Sequence, residues 1–422
     1  MKLAFVLLFV ATSVIAQTIR NDASCDISVA PAATLLLPYF EVDLYEERSR
    51  ARDTMFTVTN VSPVTQIAHV TIWTDLAYPL YTFDLVLTGY DVQAISMWEL
   101  LKTGAIAAPR GYFQPPVGRR SFPNPRHGTG VRADCLELPA SIPPSMLATI
   151  QETLTTGRIP DCGQNAVGKT HTNAIGYATI DVVATCSSLD PTDAQYYDGH
   201  LLFDNVLTGD WVTIRPDPIV GNYAAGSPLV HIRAIPEGSS SGGPRPTPLP
   251  RTFYELYAPL DAPRSDRRQP LPVNFAARYI EGGTSGFVTD FLIWRQPVKA
   301  RPKCKHSIDN FSNTADVVRF DERENVNVRI PCGGFLCPPP HNDLPVTSRT
   351  STFYTPIYPP LTSGDRGGWM YINATSSATA TQSWVVTTMF AEGRYSVAFD
   401  AVALGNGCSP WPAVSATIGP AR

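Results

Sequence analysis

Proline limits the folds open to this chain more than any other feature: 39 of its 422 residues are proline, spread along the sequence rather than held in one tract. Each proline lacks a backbone N–H and holds φ at about −65°, so it interrupts helices and removes a rung from any central strand. Short strands, sheet edges and long loops survive that spacing. The apolar runs between the prolines have strand length. From Ala33 to Met97 they read TLLLPYFEVDL, TMFTVTNVS, QIAHVTIWTD, YTFDLVLTG and DVQAISM, with turn residues between them. In the fourth run Phe83, Leu85 and Leu87 share one face, which period-two alternation turns toward a core. Strands at this spacing predict a sandwich or barrel.

The pattern then breaks. Gly104 to Gly130 is rich in Pro, Arg and Gly and reads as a long surface loop. Behind it Met146, Leu147, Ile150 and Leu154 fall at helical spacing, with Ser145 as the expected N-cap and Gly157 as the stop. A shorter helix is expected over Trp98 to Lys102. Strands resume with AIGYATIDVVATC, HLLFDNVLTGDWVTI and PLVHIRAI. The stretch PEGSSSGGPRPTPLP has too little apolar surface to order itself and reads as a linker. Beyond it FAARYIEGG, GFVTDFLIWRQ, NVRIP, GGWMYINAT, SWVVTTMFAE and YSVAFDAVAL are again strands. The expected fold class is therefore mainly β: two β-sandwich-like (immunoglobulin-like) domains with long Pro-rich loops and one or two short helices. The first domain covers residues 17–235 with a loop and helix excursion at about 104–160, the linker covers 236–250, and the second domain covers 251–422. One echo, FDLVLTGYDV from Phe83 and FDNVLTGDWV from Phe203, reads either as a duplication or as a common strand–Thr-Gly–strand corner.

The first sixteen residues carry Lys2, an apolar run from Leu3 to Val10 and small residues up to Ala16, the pattern of a signal peptide cleaved before Gln17. A spanning helix needs roughly 20 apolar residues, more than this run offers. The chain is expected to be secreted or extracytoplasmic, with no membrane span in its mature part. Its eight cysteines, Cys25, Cys135, Cys162, Cys186, Cys304, Cys332, Cys337 and Cys408, are then a disulfide pool. Their pairing is open among many connectivities, although Cys135 with Cys162 and Cys332 with Cys337 would close short loops. The C-x-x-C pairs of a zinc site are missing. With 17% charged residues and a net charge of −4, the chain has no basic footprint for nucleic acid.

Catalytic motifs fail in their context. Gly163 to Thr170 matches the phosphate-loop pattern G-x-x-x-x-G-K-T, but no buried strand precedes it and a strand, not a helix, follows, so no helix N-terminus meets a phosphate. Gly238-Ser239-Ser240-Ser241-Gly242 matches a nucleophile elbow, yet Pro244, Pro246, Pro248 and Pro250 forbid the helix that elbow needs. Leu344-Pro345-Val346-Thr347 resembles a cell-wall sorting signal without its tail and reads as loop. His69, His127, His171, His200, His231, His306 and His341 never fall at metal-ligand spacing. Asp190, Asp193 and Asp198 lack the spacing of a helix-loop-helix calcium site and read as a solvated loop. Trp73, Trp211, Trp294, Trp369, Trp384 and Trp411 form the pool for a sugar-binding platform, with core packing the commoner use of tryptophan in strands.

TLLLPYFEVDL, FTVTNVSP, AHVTIWTDLAYP, FDLVLTGYDVQ, RRQPLPVNFAARYIEGG, TDFLIWR and AEGRYSVAFDAVALGNGC together resemble an uncharacterised family of exported bacterial β-rich proteins with no assigned activity. The resemblance spans most of the mature chain and implies a bacterial, extracytoplasmic setting but no catalytic residue. The expectation is a non-enzymatic structural, adhesive or ligand-binding protein of the cell envelope or extracellular space, without cofactor or metal, its partner a glycan or another envelope protein. The alternative is a secreted hydrolase of polysaccharide or another polymer, which needs two carboxylates about 5 to 9 Å apart across a cleft.

Overall fold

The strand-length apolar runs pair into antiparallel sheets, and among the described residues none of these closes into a barrel. The computed structural model describes residues 27, 29–106, 141–198, 200–216, 223–235, 252–258, 266–282, 286–297, 304, 317–324, 326–327, 346–350, 367–373, 382–391 and 395–404. The expected signal peptide, the 236–250 linker with its elbow motif, Leu344-Pro345 of the sorting-signal match, most of the 104–130 loop, Cys25, Cys135, Cys332, Cys337, Cys408 and Trp411 lie outside the described residues.

With strands numbered in chain order, a central sheet takes the order β10-β1-β6-β3-β4, from β1 (Thr34–Val42), β3 (Gln66–Thr74), β4 (Pro79–Leu87), β6 (Ala174–Val183) and β10 (Val230–Ile232). A second sheet takes the order β5-β2-β8-β9, from β2 (Asp53–Asn60), β5 (Val92–Ser96), β8 (Asp210–Arg215) and β9 (Tyr223–Pro228), with β7 (Leu207–Thr208) also on β2. A third takes β15-β12-β17-β18, from β12 (Phe287–Arg295), β15 (Thr347–Thr350), β17 (Ser383–Ala391) and β18 (Tyr395–Asp400). The fourth takes β14-β13-β16-β11-β19, from β11 (Asn274–Ile280), β13 (Val317–Asp321), β14 (Val326–Asn327), β16 (Gly367–Asn373) and β19 (Val402–Ala403). The mainly β, sandwich-like architecture expected from the alternating runs is therefore present.

Each sheet uses strands from one side of the 236–250 segment only, whereas packing crosses it. One buried cluster runs from Ala32 to Ala401. Within it Trp73 and Tyr177 from the central sheet meet Tyr257 and Trp294 edge-on, with Phe253 stacked on Trp294.

β1 and β3 are buried at every position, so the central sheet is covered on both faces, and period two here separates two kinds of core. One face is aliphatic: Leu35, Ala68, Val70, Leu85, Ile180 and Val182. The other carries Thr34, His69, Thr71, Trp73, Tyr177, Thr179 and Asp181, all buried.

The described helices are short. α1 (Pro144–Thr156) buries Ile150 and Leu154 and ends at Gly157 in the left-handed region, φ 70°, as expected. Its N-cap is Pro143 rather than Ser145, because Pro144, pre-set in φ and needing no N–H partner, takes the first helical position. A π-helical turn covers Glu99–Thr103, and α2 (Ala194–Tyr197) is a single turn.

Three further expectations need correction. Residues 201–206 of the HLLFDNVLTGDWVTI run are not a strand: Leu202 donates to Val182 and Val206 to Ala32, so the chain crosses the end of the central sheet instead of running beside it. β9 (YAAGSP) and β13 (VVRFD) join the sheets as strands beyond those expected. β15 begins at Thr347, inside the stretch read as loop. Cys162 pairs with Cys304, 142 residues away, and not with Cys135. Short loop length is a weak guide once packing brings distant segments together. Cys186 is disulfide-bonded as well.

Candidate functional site

Chemistry-bearing side chains concentrate on the polar face of the central sheet. Register places Thr34, Asp181, His69 and Asp84 side by side on β1, β6, β3 and β4 as one cross-strand row. Asp181 is its hub. Thr34 donates to one carboxylate oxygen, and the Tyr196 and Tyr254 hydroxyls each donate to the other at 2.6 Å. Arg268, fully buried, bonds Thr34 Oγ1 through Nε, the Leu202 carbonyl through Nη2 at 2.9 Å and Asp266 through Nη1 at 3.3 Å. Burial, and then the charge of Asp181, push the Tyr196 and Tyr254 hydroxyls well up, so both remain donors. The hub is satisfied from within.

At the other end of the row, His69 Nδ1 meets Asp84 at 2.7 Å, and the second Asp84 oxygen accepts the Ser187 N–H at 3.0 Å. Ser187 Oγ lies 3.1 Å from His200 Nε2 and accepts the Leu189 N–H. Burial, then the neighbouring His69, hold the His200 imidazole down at about 4. A Ser-His contact and a His-Asp contact are thus adjacent but not one relay, because His69 pairs with Asp84 and His200 with Ser187. Read as a strand-by-strand register, the approach of His69 to Asp84 is visible in the sequence as two polar residues facing each other across the β3–β4 hairpin. The approach of His200 is not.

A second cluster sits where the central and third sheets meet. Glu41 accepts from Arg52 at 2.8 Å, Arg349 at 2.6 Å and Asn173 at 2.7 Å. Arg349 also reaches Asp290 at 3.4 Å, and Arg215 reaches the same carboxylate at 3.1 Å. Burial works to raise the Glu41 carboxyl, but Arg349, Arg52 and Asn173 more than offset it and hold the group below its usual value. Two acids are therefore close, yet guanidinium groups fill the space between them and keep Glu41 ionised, the opposite of what a general acid requires. Burial does raise Asp53 and Asp400. Asp53 is tied to Ser96 and the Trp98 N–H, and Asp400 to Trp384 and Ser227.

The phosphate-loop match at 163–170 is a turn. Cys162 anchors its start through the disulfide, Val167 and Gly168 donate back to the Gly157 carbonyl, and the Lys169 N–H donates to Asp75 at 3.0 Å. A carboxylate occupies the place a phosphate would need, and His171 binds its other oxygen at 2.9 Å. Ahead of α2 the Asp193 carboxylate accepts the Asp190 N–H at 2.9 Å and the Asp190 carboxylate accepts the Thr192 N–H at 2.8 Å. Asp198 follows α2 directly. Among the described residues no group of three His, Cys, Asp or Glu side chains is placed to hold a metal ion. His231 is buried beside Gly209; His127, His306 and His341 lie outside the described residues.

Six tryptophans lie among the described residues. Trp73, Trp98, Trp211, Trp294 and Trp384 are buried, whereas Trp369 on β16 is half-exposed. Its ring stacks on Phe320 of β13, centroids 3.9 Å apart and planes within 9°. Register puts Trp369 opposite Arg278 of β11 on one side and Phe320 on the other, and Tyr371 opposite Ala276 and Val318. Val402 of β19, opposite Ala276, is 65% exposed. The outer face of the fourth sheet is thus a row of half-exposed rings beside an exposed guanidinium. Its inner face buries Phe275, Tyr279, Met370 and Ile372, and Arg319 lies over the Tyr279 ring at 3.9 Å while pairing with Glu281. No protein-family model, curated protein or solved structure matches the chain, so any function assigned to this face or to the buried rows rests on their geometry.

Proposed function

We propose that this is an exported, non-enzymatic ligand-binding protein of the cell envelope or extracellular space, and that it takes a glycan on the outer face of the fourth sheet. The observation that carries the reading is Trp369: of the described tryptophans it alone is half-exposed, stacked on Phe320 beside Arg278. A row of rings offers flat apolar area to the C–H face of a sugar, and an exposed guanidinium offers hydrogen bonds to its hydroxyls. The buried carboxylates support the non-enzymatic half of the reading, since Asp181, Glu41 and Asp290 are engaged by arginine, tyrosine and threonine donors.

The test is binding of the mature oxidised chain to a panel of soluble and insoluble polysaccharides, followed by calorimetry with the best oligosaccharide. Trp369→Ala is expected to weaken binding at least about tenfold, equal to about 1.4 kcal/mol, and Arg278→Ala to weaken it less, both with unchanged thermal unfolding. Equal affinity in both variants, or release of reducing ends from the polysaccharide, would overturn the proposal.

A further inference from the structure

We propose that the strap carrying α2 and His200, residues 187–198 and 200–202, which starts just past the disulfide-bonded Cys186, is an acid-released latch over the polar face of the central sheet. Contacts to the rest of the fold hold it down, among them the Ser187 N–H to Asp84 at 3.0 Å, Tyr196 to Asp181 at 2.6 Å, the Leu202 N–H to the Val182 carbonyl at 2.9 Å and Arg268 Nη2 to the Leu202 carbonyl at 2.9 Å; Ser187 Oγ to His200 Nε2 at 3.1 Å ties its two ends together, and the His200 carbonyl accepts the Ala184 N–H at 2.8 Å. The groups facing the His200 ring are His69 from β3, with ring centroids 5.8 Å apart, Tyr196 from α2 at 5.3 Å, Ser187, and the carboxylates of Asp84 and Asp181 from β4 and β6.

Charging His200 leaves it poorly compensated. Its side chain is buried, and His69 is a second imidazole close at hand. Asp84 and Asp181 favour the cation, but Asp84 already serves His69 and the Ser187 N–H, and Asp181 already serves Thr34, Tyr196 and Tyr254. A charge in that position is relieved when the strap lifts and His200 meets water. Lifting also withdraws Tyr196 from Asp181, the hub that Tyr254 and Arg268 bind from beyond the 236–250 segment. Acid would thus loosen the joint between the two parts of the chain.

The sign follows from the direction of the shift. His200 is held at about 4 in the closed state and returns toward about 6.5 when solvated. The open strap therefore binds more protons between those values, so the latch is tightest above about pH 6.5 and weakens as pH falls toward 4.

Hydrogen exchange of the full mature oxidised chain, corrected for intrinsic rates, tests this at pH 8 and pH 5. Strap amides are expected to lose about thirtyfold of their protection at pH 5, the factor for a group moving from about 4 to about 6.5 on opening, while β12 and β17 keep theirs. His200→Gln, which keeps an acceptor near Ser187 without titrating, is expected to abolish the pH dependence. An unchanged strap at pH 5 in the native chain, parallel loss in β12 and β17, or the same response in His200→Gln would each overturn the proposal. Should the variant fail to fold, the comparison within the native chain decides.

Discussion

Asp181 shows what a single residue contributes here. It is fully buried, bonded to Thr34, Tyr196 and Tyr254, and lies 3.5 Å from the Arg268 Nε. A pair of this kind adds little net stability against a well-packed apolar substitute, but removing one partner leaves a charge without water or counter-ion. Arg268→Ala is expected to cost about 3–5 kcal/mol in urea unfolding, and the double change with Asp181→Asn to cost less than the sum of the two single changes. Glu41 gives the acid-side counterpart. Its carboxyl is lowered in the fold, so its contribution is complete above the unfolded value of about 4.3 and is lost as pH falls through the folded one. Thermal unfolding followed from pH 7 to pH 3 is expected to show a drop that is shallower in Glu41→Gln, which is also less stable at pH 7. An equally steep drop in the variant would assign the acid loss elsewhere.

At the scale of elements, the two echoed segments meet different fates and share one corner. Phe83 to Leu87 is the end of β4, whereas Phe203 to Val206 is irregular. Both then pass through Thr-Gly into a strand paired with β2: β5 after Gly89, β8 after Gly209. A Cβ at Gly89 would collide with the Pro63 carbonyl, and one at Gly209 with the Thr57 carbonyl. The shared string thus marks two places where the chain turns into the second sheet with backbone pressed on backbone. Gly89→Ala is expected to destabilise by about 1–3 kcal/mol, the range for forced overpacking, measured by chemical denaturation; a neutral result would mean that the Pro63 segment yields. Beside that corner Tyr90 holds φ 60° and is 70% exposed. The strand runs and the stop of α1 at Gly157 were legible because period and punctuation are local. β9, β13 and β15 were not, because their strand state depends on the partners β8, β16 and β12 rather than on their own composition.

At the scale of the molecule, each sheet stays on one side of residues 236–250 while ion pairs, edge-to-face aromatic contacts and the Cys162–Cys304 disulfide cross it. That disulfide closes a span of 142 residues, and Cys304→Ser is expected to lower stability by about 3–5 kcal/mol. Denaturant unfolding with and without reductant checks this; equal midpoints in the native chain would show that side-chain packing alone holds the joint. The sequence by itself determined the β class, the core placement of most tryptophans and the failure of the phosphate-loop match, because each depends on periodicity or on residues a few positions apart. Only the tertiary structure decided that Cys162 meets Cys304, that Arg268 and Tyr254 close on Asp181, that His200 comes to rest beside His69, and that Trp369 stays half-exposed. Those outcomes depend on which distant segments share a core, and side-chain packing and burial settle that only when the whole chain has folded.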